Sequence, residues 1–117
     1  MALAGLALAT FGLPAAPASG APASAKVDMR SVRFEPQEVA VAVGGTVTWT
    51  NHDPQTHQVT ANNGSFSSGP CRAGAGPGCI PTGKSYSETF GQAGRIPYYC
   101  STHGGPNRGM TGVVVVG

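Results

Sequence analysis

The sequence predicts an all-β fold, an antiparallel β-sandwich of seven to eight short strands, and three observations predict it. Apolar and β-branched residues alternate with period two in runs such as "EVAVAV" (38–43) and "TVTWT" (46–50). Each run is short and bounded by Gly, Pro, Asn or Asp at regular intervals. No segment repeats apolar residues at helical spacing over enough length for a helix. Short strands spaced this way, with no helices between them, pack as two sheets face to face.

The first element is not a strand. Residues 1–25 carry no charge: Met1–Leu13 is apolar, and 14–25 is built from Pro, Ala, Ser and Gly. This composition matches the h-region and c-region of a secretory signal, with Ala23-Ser24-Ala25 as the cleavage site, although the positively charged n-region is missing. A flexible tail would have a similar composition. The apolar run is too short to span a bilayer. The expected folded domain is therefore 26–117, long enough for one modest core.

Within it, "KVDMRSVRF" (26–34) reads as strand, and "EVAVAV" puts Val39, Val41 and Val43 on one face. Gly44 and Gly45 turn the chain into "TVTWT", with Val47 and Trp49 on one face and threonines on the other. "HQVTA" (57–61), "SYSETF" (85–90), "IPYYC" (96–100) and "GMTGVVVV" (109–116) complete the set. Two polar segments interrupt the rhythm: "NHDPQT" (51–56) and 62–84, which is rich in Gly, Ser and Pro and lacks periodicity.

All seven Lys/Arg and all five Asp/Glu lie in 26–117, a net charge of +2 with no basic cluster. No nucleic-acid partner is expected. The small net charge also argues against strong electrostatic steering.

Three cysteines are an odd number for an exported chain. Cys71 and Cys79, separated by "RAGAGPG", form the simplest disulfide, which leaves Cys100 unpaired. Cys100, His103 and Met110 then share one loop. A thiolate, two imidazoles and a weak axial thioether make the ligand set of a blue copper site, whereas Met is not a usual zinc ligand. The second imidazole must be His52 or His57. His57 opens a strand and is favoured; His52 sits in the turn-forming cluster "NHDP".

Residues 30–117 resemble the cupredoxins of the plastocyanin/amicyanin/pseudoazurin group, the small type 1 copper proteins. The resemblance runs through "VRFEPQEVAVAVGGTVTWTNHDPQTHQVT", "FSSG" and "GKSYSETFGQAGRIPYYCSTHGGPNRGMTGVVVV". It implies a Greek-key sandwich with one copper ion held by His57, Cys100, His103 and Met110, and leaves His52 as the variable turn residue. It further implies a monomeric, exported (periplasmic or extracellular) carrier of single electrons, with no enzymatic activity. A redox protein would dock transiently near His103, the ligand nearest solvent, over an uncharged rim of Gly104, Gly105 and Pro106. Hydrogen bonds to the sulfur are expected from backbone N–H groups beside His57 and Met110 and from the Ser101 hydroxyl, with the Thr56 carbonyl as a weak fifth contact. A copper carrier or storage protein is the alternative, and a metal-free interaction module a third. The sequence departs from the family pattern in two places: six residues separate His103 from Met110, and "PCRAGAGPGC" (70–79) is inserted.

Overall fold

The computed structural model of the chain describes residues 20–117. Most of the expected export segment lies outside the described residues. Eight strands follow: β1 (Ser24–Arg30), β2 (Arg33–Glu35), β3 (Glu38–Val41), β4 (Gly45–Asn51), β5 (Thr60–Ala61), β6 (Ser85–Phe90), β7 (Gly94–Gly105) and β8 (Arg108–Val116). They form two four-stranded sheets, in the orders β2-β1-β4-β6 and β3-β8-β7-β5. No described residue is helical, as expected.

The sheets are mixed rather than wholly antiparallel, because β1 pairs with β4 and β3 pairs with β8 in parallel. Alternation reports which residues face the core, and it is the same for parallel and antiparallel neighbours. β1 begins at Ser24, two residues before the expected domain boundary, and its first rungs are Ser24↔Thr46 and Ala25↔Val47. The Pro22 and Ala23 carbonyls accept the N–H groups of Ala42 and Thr46 at 2.8 and 3.0 Å.

Inward alternation fills the space between the sheets. Val47 and Trp49 are fully buried, and the threonines between them point outward. Those threonines form a hydroxyl ladder with β6: Thr46–Thr89 at 2.9 Å, Thr48–Ser87 at 2.7 Å and Thr50–Ser85 at 2.7 Å. Trp49 stacks on Phe66 and Tyr86 and meets Tyr98 edge-on, at centroid separations of 5.8, 5.5 and 5.4 Å. Tyr98 in turn requires a glycine opposite, since a Cβ on Gly112 would lie 2.5 Å from its ring.

Local chemistry shifts three boundaries. "KVDMRSVRF" is two strands, broken by Ser31 and Val32 at φ of 53° and 55°. Val39 and Val41 are buried as expected, but Val43 is 54% exposed. The strand ends at Val41, and a turn closed by Gly45 N–H to the Ala42 carbonyl (2.8 Å) carries Val43 away from the core. In "HQVTA" only Thr60 and Ala61 join a sheet, while His57 makes an isolated bridge to Ile80. The aperiodic segment 62–84 nevertheless supplies two side chains, Phe66 and Ile80, to the packed core cluster.

Candidate metal centre

The centre forms where β7 leaves the regular ladder. β7 and β8 pair at Tyr99↔Thr111 and again at Gly104↔Gly109, so residues 100–103 stand opposite Met110 alone. Such a bulge re-aims side chains that a regular strand would alternate between faces. It turns both Cys100 and His103 toward His57. The ligating atoms of these three residues lie within 4.8 Å of one another.

His57 is held from both sides of its backbone: its N–H donates to the Ile80 carbonyl at 3.1 Å and its carbonyl accepts the Ile80 N–H at 2.8 Å. Asn51 braces the turn before it by donating to the Gln55 and Ile80 carbonyls (2.7 and 2.9 Å) and accepting the Asp53 N–H (2.7 Å). Asp53 then fixes the ring, with Oδ2 at 2.8 Å from His57 Nε2. The same carboxylate accepts the N–H groups of Ser31 (2.7 Å) and Val32 (2.8 Å), both at positive φ. A carboxylate only accepts, so Nε2 carries the proton and Nδ1 keeps its lone pair.

That lone pair faces the other two donors. His57 Nδ1 lies 3.2 Å from His103 Nδ1 and 3.8 Å from Cys100 Sγ, and His103 Nδ1 lies 3.6 Å from Sγ. With bonds of about 2.0 Å to imidazole nitrogen and about 2.3 Å to thiolate, a trigonal ion needs donor separations of about 3.5 and 3.7 Å. The observed triangle fits that requirement. Two nitrogens and one sulfur also make a set suited to copper. Met110 is buried on β8 directly after Gly109.

The sulfur sits among hydrogen-bonding groups. The Gln58 N–H donates to Sγ at 3.3 Å, which meets the expectation of a backbone donor beside His57. The hydroxyl near the sulfur belongs to Thr102, at 3.0 Å, and not to Ser101. Ser101 is exposed, and its N–H donates to Gln58 Oε1 at 3.2 Å. The Thr56 carbonyl, expected as a weak fifth contact, accepts the Thr102 hydroxyl at 3.3 Å. Burial raises the Cys100 pKa, but the polar contacts with His57, Thr102 and His103 and the Gln58 N–H outweigh it and bring the thiol down to about 6. Burial opposes charge on His57, yet its bonds to Cys100 and Asp53 prevail and its pKa is raised. Burial also works against the Asp53 carboxylate, and the donors His57, Val32 and Ser31 overcome it and lower its pKa.

The structure thus brings His57, Cys100 and His103 together and keeps His52 apart. His52 is surface-exposed, with Nε2 at 2.8 Å from Asp28 Oδ1. The expected disulfide joins Cys71 and Cys79, and Cys100 is the one free cysteine among the described residues. Three supporting residues escaped sequence reasoning, Asn51, Asp53 and Thr102, as did the side chain of Gln58, whose backbone N–H was expected. Only Asp53 carried a signal, as a turn-forming carboxylate four residues before His57.

The long His103–Met110 spacing also has a structural account. The extra residues extend the β7–β8 hairpin through Gly104↔Gly109 and Gly105↔Arg108. The strands approach so closely that a Cβ on Gly109 would lie 2.4 Å from the His103 carbonyl, and one on Gly104 would lie 2.4 Å from that of Arg108. The glycines therefore serve a tight hairpin and not a loose turn.

The insertion 70–79 is a small flap beside the centre. Gln58 Nε2 donates to the Gly69 carbonyl at 2.8 Å, and Ser68 Oγ donates to that of Gly78 at 2.9 Å. Gly78 packs on Gly69 so tightly that a Cβ on it would lie 2.0 Å from the Gly69 carbonyl carbon.

A family model described as copper binding proteins, plastocyanin/azurin family, matches residues 21–117. The chloroplastic plastocyanin of Tetradesmus obliquus is 32% identical over 120 residues, covering 97% of this chain and 77% of the relative. The amicyanin of Paracoccus denitrificans is 34% identical over 90 residues, covering 77% of this chain and 66% of the relative. Among solved structures, a purple cupredoxin from Nitrosopumilus maritimus superposes with a TM-score of 0.62 at 28% identity, covering 80% of this chain and 99% of that one.

Proposed function

The chain belongs to the plastocyanin/azurin family of copper-binding proteins, the small copper electron carriers; on that premise we propose that His57, Cys100, His103 and Met110 are the ligands of a type 1 copper centre exchanging single electrons with redox proteins. The observation that carries this reading is the triangle of 3.2, 3.6 and 3.8 Å between two imidazole nitrogens and an unpaired thiol. Copper, when bound, supplies one-electron chemistry by cycling between Cu(I) and Cu(II). The chain's own residues supply position and field. Asp53 orients His57, the bulge presents Cys100 and His103, and the Gln58 N–H withdraws charge from the sulfur. His103 is half-buried and stands nearest the surface of the three, so a partner approaching there comes closest to the centre.

Several observations favour a carrier of electrons over a carrier of copper. Copper transport or storage usually calls for several exposed thioethers, whereas Met29 and Met110 are both buried among the described residues. Three histidines without a His-x-His pair also fall short of a multicopper oxidase, so the reading is not enzymatic. The Cys71–Cys79 disulfide supports export to a periplasmic or extracellular compartment. Docking would be transient, and the chain itself monomeric.

Addition of Cu(II) to the purified chain tests the assignment. An intense blue band is expected, lost in Cys100→Ser and His57→Ala and retained in His52→Ala. A band that survives His57→Ala and disappears in His52→Ala would overturn the ligand set.

A further inference from the structure

The surface beside His103 is not as neutral as its Gly-Gly-Pro rim implies. An open hollow of about 740 Å³ is lined by His103, Thr102 and Thr56 on one side and by the disulfide flap, Cys71 to Gly74, on the other. A second hollow, of about 600 Å³, shares Cys71, Arg72 and Ser101 with the first. Arg72 therefore stands on the ridge between two depressions, one of which His103 also lines. It is exposed, and its backbone is fixed by a reciprocal bridge to Ala75 (2.8 and 2.9 Å) inside the disulfide ring. On the hairpin, the Arg108 guanidinium lies over Gly105, two residues past His103; a Cβ there would lie 3.1 Å from its nitrogen.

Neither arginine has a carboxylate partner among the described residues. All five acidic residues are engaged elsewhere: Asp28 with Arg30 and His52, Glu35 with Arg33, Glu38 with Arg95, Asp53 with His57, and Glu88 with Tyr86. Lys26 and Lys84 are also without ion pairs, but neither lines the hollow beside His103 nor lies on the hairpin that carries His103. Two guanidiniums without a carboxylate partner thus stand on the flap and on the hairpin that border His103, and guanidinium is the cation best shaped to clasp a carboxylate.

We propose that this face docks an acidic electron-transfer protein, with Arg72 on the disulfide flap and Arg108 on the hairpin pairing with carboxylates around the partner's own redox centre. The inference rests on the electron-transfer reading above and names the partner's chemistry. Charge arranged in this way acts mainly on encounter rate and orientation, and less on affinity. It is consistent with a net charge of only +2, because the two cations are local.

The test uses two forms of ferric cytochrome c with one haem and one fold: the native lysine-rich protein and its succinylated, acidic form. The reduced, copper-loaded chain is mixed with each by stopped flow. At about 10 mM ionic strength, where screening reaches only beyond about 30 Å, the succinylated form should react faster, and salt should erase its advantage. Arg72→Gln and Arg108→Gln should each slow that reaction about two- to fivefold, as expected for exposed ion pairs, and should not slow the reaction with native cytochrome c. In parallel, amide shifts in the metal-free chain on adding the succinylated form should centre on Arg72, Thr102 and Gly105–Arg108. Loss of the blue band with those shifts intact would defeat the copper reading and leave the docking face standing. An intact band with equal rates for both cytochromes, or with no response to either arginine, would overturn the docking face. With ferricyanide as a third oxidant, an effect of the arginine substitutions confined to that small anion would overturn it as well.

Discussion

Asp53→Ala removes the group that joins the metal centre to the fold. Its carboxylate accepts three hydrogen bonds, from Ser31 N–H at 2.7 Å, Val32 N–H at 2.8 Å and His57 Nε2–H at 2.8 Å. A bond to a charged acceptor contributes about 1.5–3 kcal/mol. The three share one group, so their losses do not simply add. We expect a loss of about 3–5 kcal/mol, the range seen when one partner of a buried charged contact is deleted. Part of the loss comes from the β1–β2 turn, where Ser31 and Val32 hold φ of 53° and 55° with their N–H groups tied to this carboxylate. Positive φ is especially unfavourable for a β-branched residue. The assay is urea unfolding of the metal-free chain, followed by the emission of Trp49. Copper affinity, measured separately, should fall about ten- to a hundredfold because His57 loses its orienting partner. His52→Ala is the control: it breaks only the exposed pair with Asp28 and should cost less than about 1 kcal/mol. If Asp53→Ala unfolds within about 1 kcal/mol of the parent and binds copper equally well, Asp53 does not anchor the centre to the fold.

Acid should weaken the metal-free chain through the same carboxylate. The Asp53 pKa is lowered in the fold, so its contribution is present above the ordinary value of 3.8 and lost as pH falls through the folded value. His57 is raised, so its contribution is present below 6.5 and lost as pH climbs through its folded value. The Cys100 thiol, lowered to about 6, works in the opposite sense to His57 above that pH, so the clear signature is on the acid side: the parent's urea midpoint should drop as pH falls below 3.8, and this acid limb should flatten in Asp53→Ala; an unchanged acid limb would refute the linkage. Reducing the Cys71–Cys79 bond, which closes a loop of sequence separation 8, should cost about 2–3 kcal/mol in the chain-entropy model, read as a midpoint shift between Cys71→Ser/Cys79→Ser and the parent. A chain starting at Lys26 loses two rungs of the β1–β4 ladder, and should unfold at lower urea than one starting at Gly20; equal midpoints would place the working boundary at Lys26.

Period-two alternation was enough to read the strands, since Val47, Trp49 and the "VVVV" run show which side chains must be buried whatever the neighbouring strand does. Strand direction was not legible, because parallel and antiparallel partners demand the same alternation. Nor were the strand ends at Ser31–Val32 and Val43, where a carboxylate 21 residues away in one case and a turn hydrogen bond in the other decide the path. The ligand types at the centre were legible because each brings distinct chemistry. Their supports were not: Thr102 and Ser101 are indistinguishable as hydroxyl donors until the bulge places one beside the sulfur and the other at the surface.

The bulge also accounts for why the centre should hold one geometry in both oxidation states. Three of the donors, His57, Cys100 and His103, are fixed by contacts that do not involve a metal. The His57 backbone is bridged to Ile80 and its ring is pinned by Asp53. The Cys100 sulfur is met by the Gln58 N–H, and Gln58 in turn is tied to Gly69 on the flap and to Ser101 on β7. The stretch carrying His103 is clamped between Tyr99↔Thr111 and Gly104↔Gly109, where glycine is required on both strands for the backbones to approach. Moving His57, Cys100 or His103 would break several of these hydrogen bonds, each contributing about 0.5–1.5 kcal/mol, so the fold itself holds these three side chains in place. A site whose atoms have little to rearrange exchanges an electron with a small barrier, and the hydrogen bonds around Cys100 are the part of this chain most able to tune the potential.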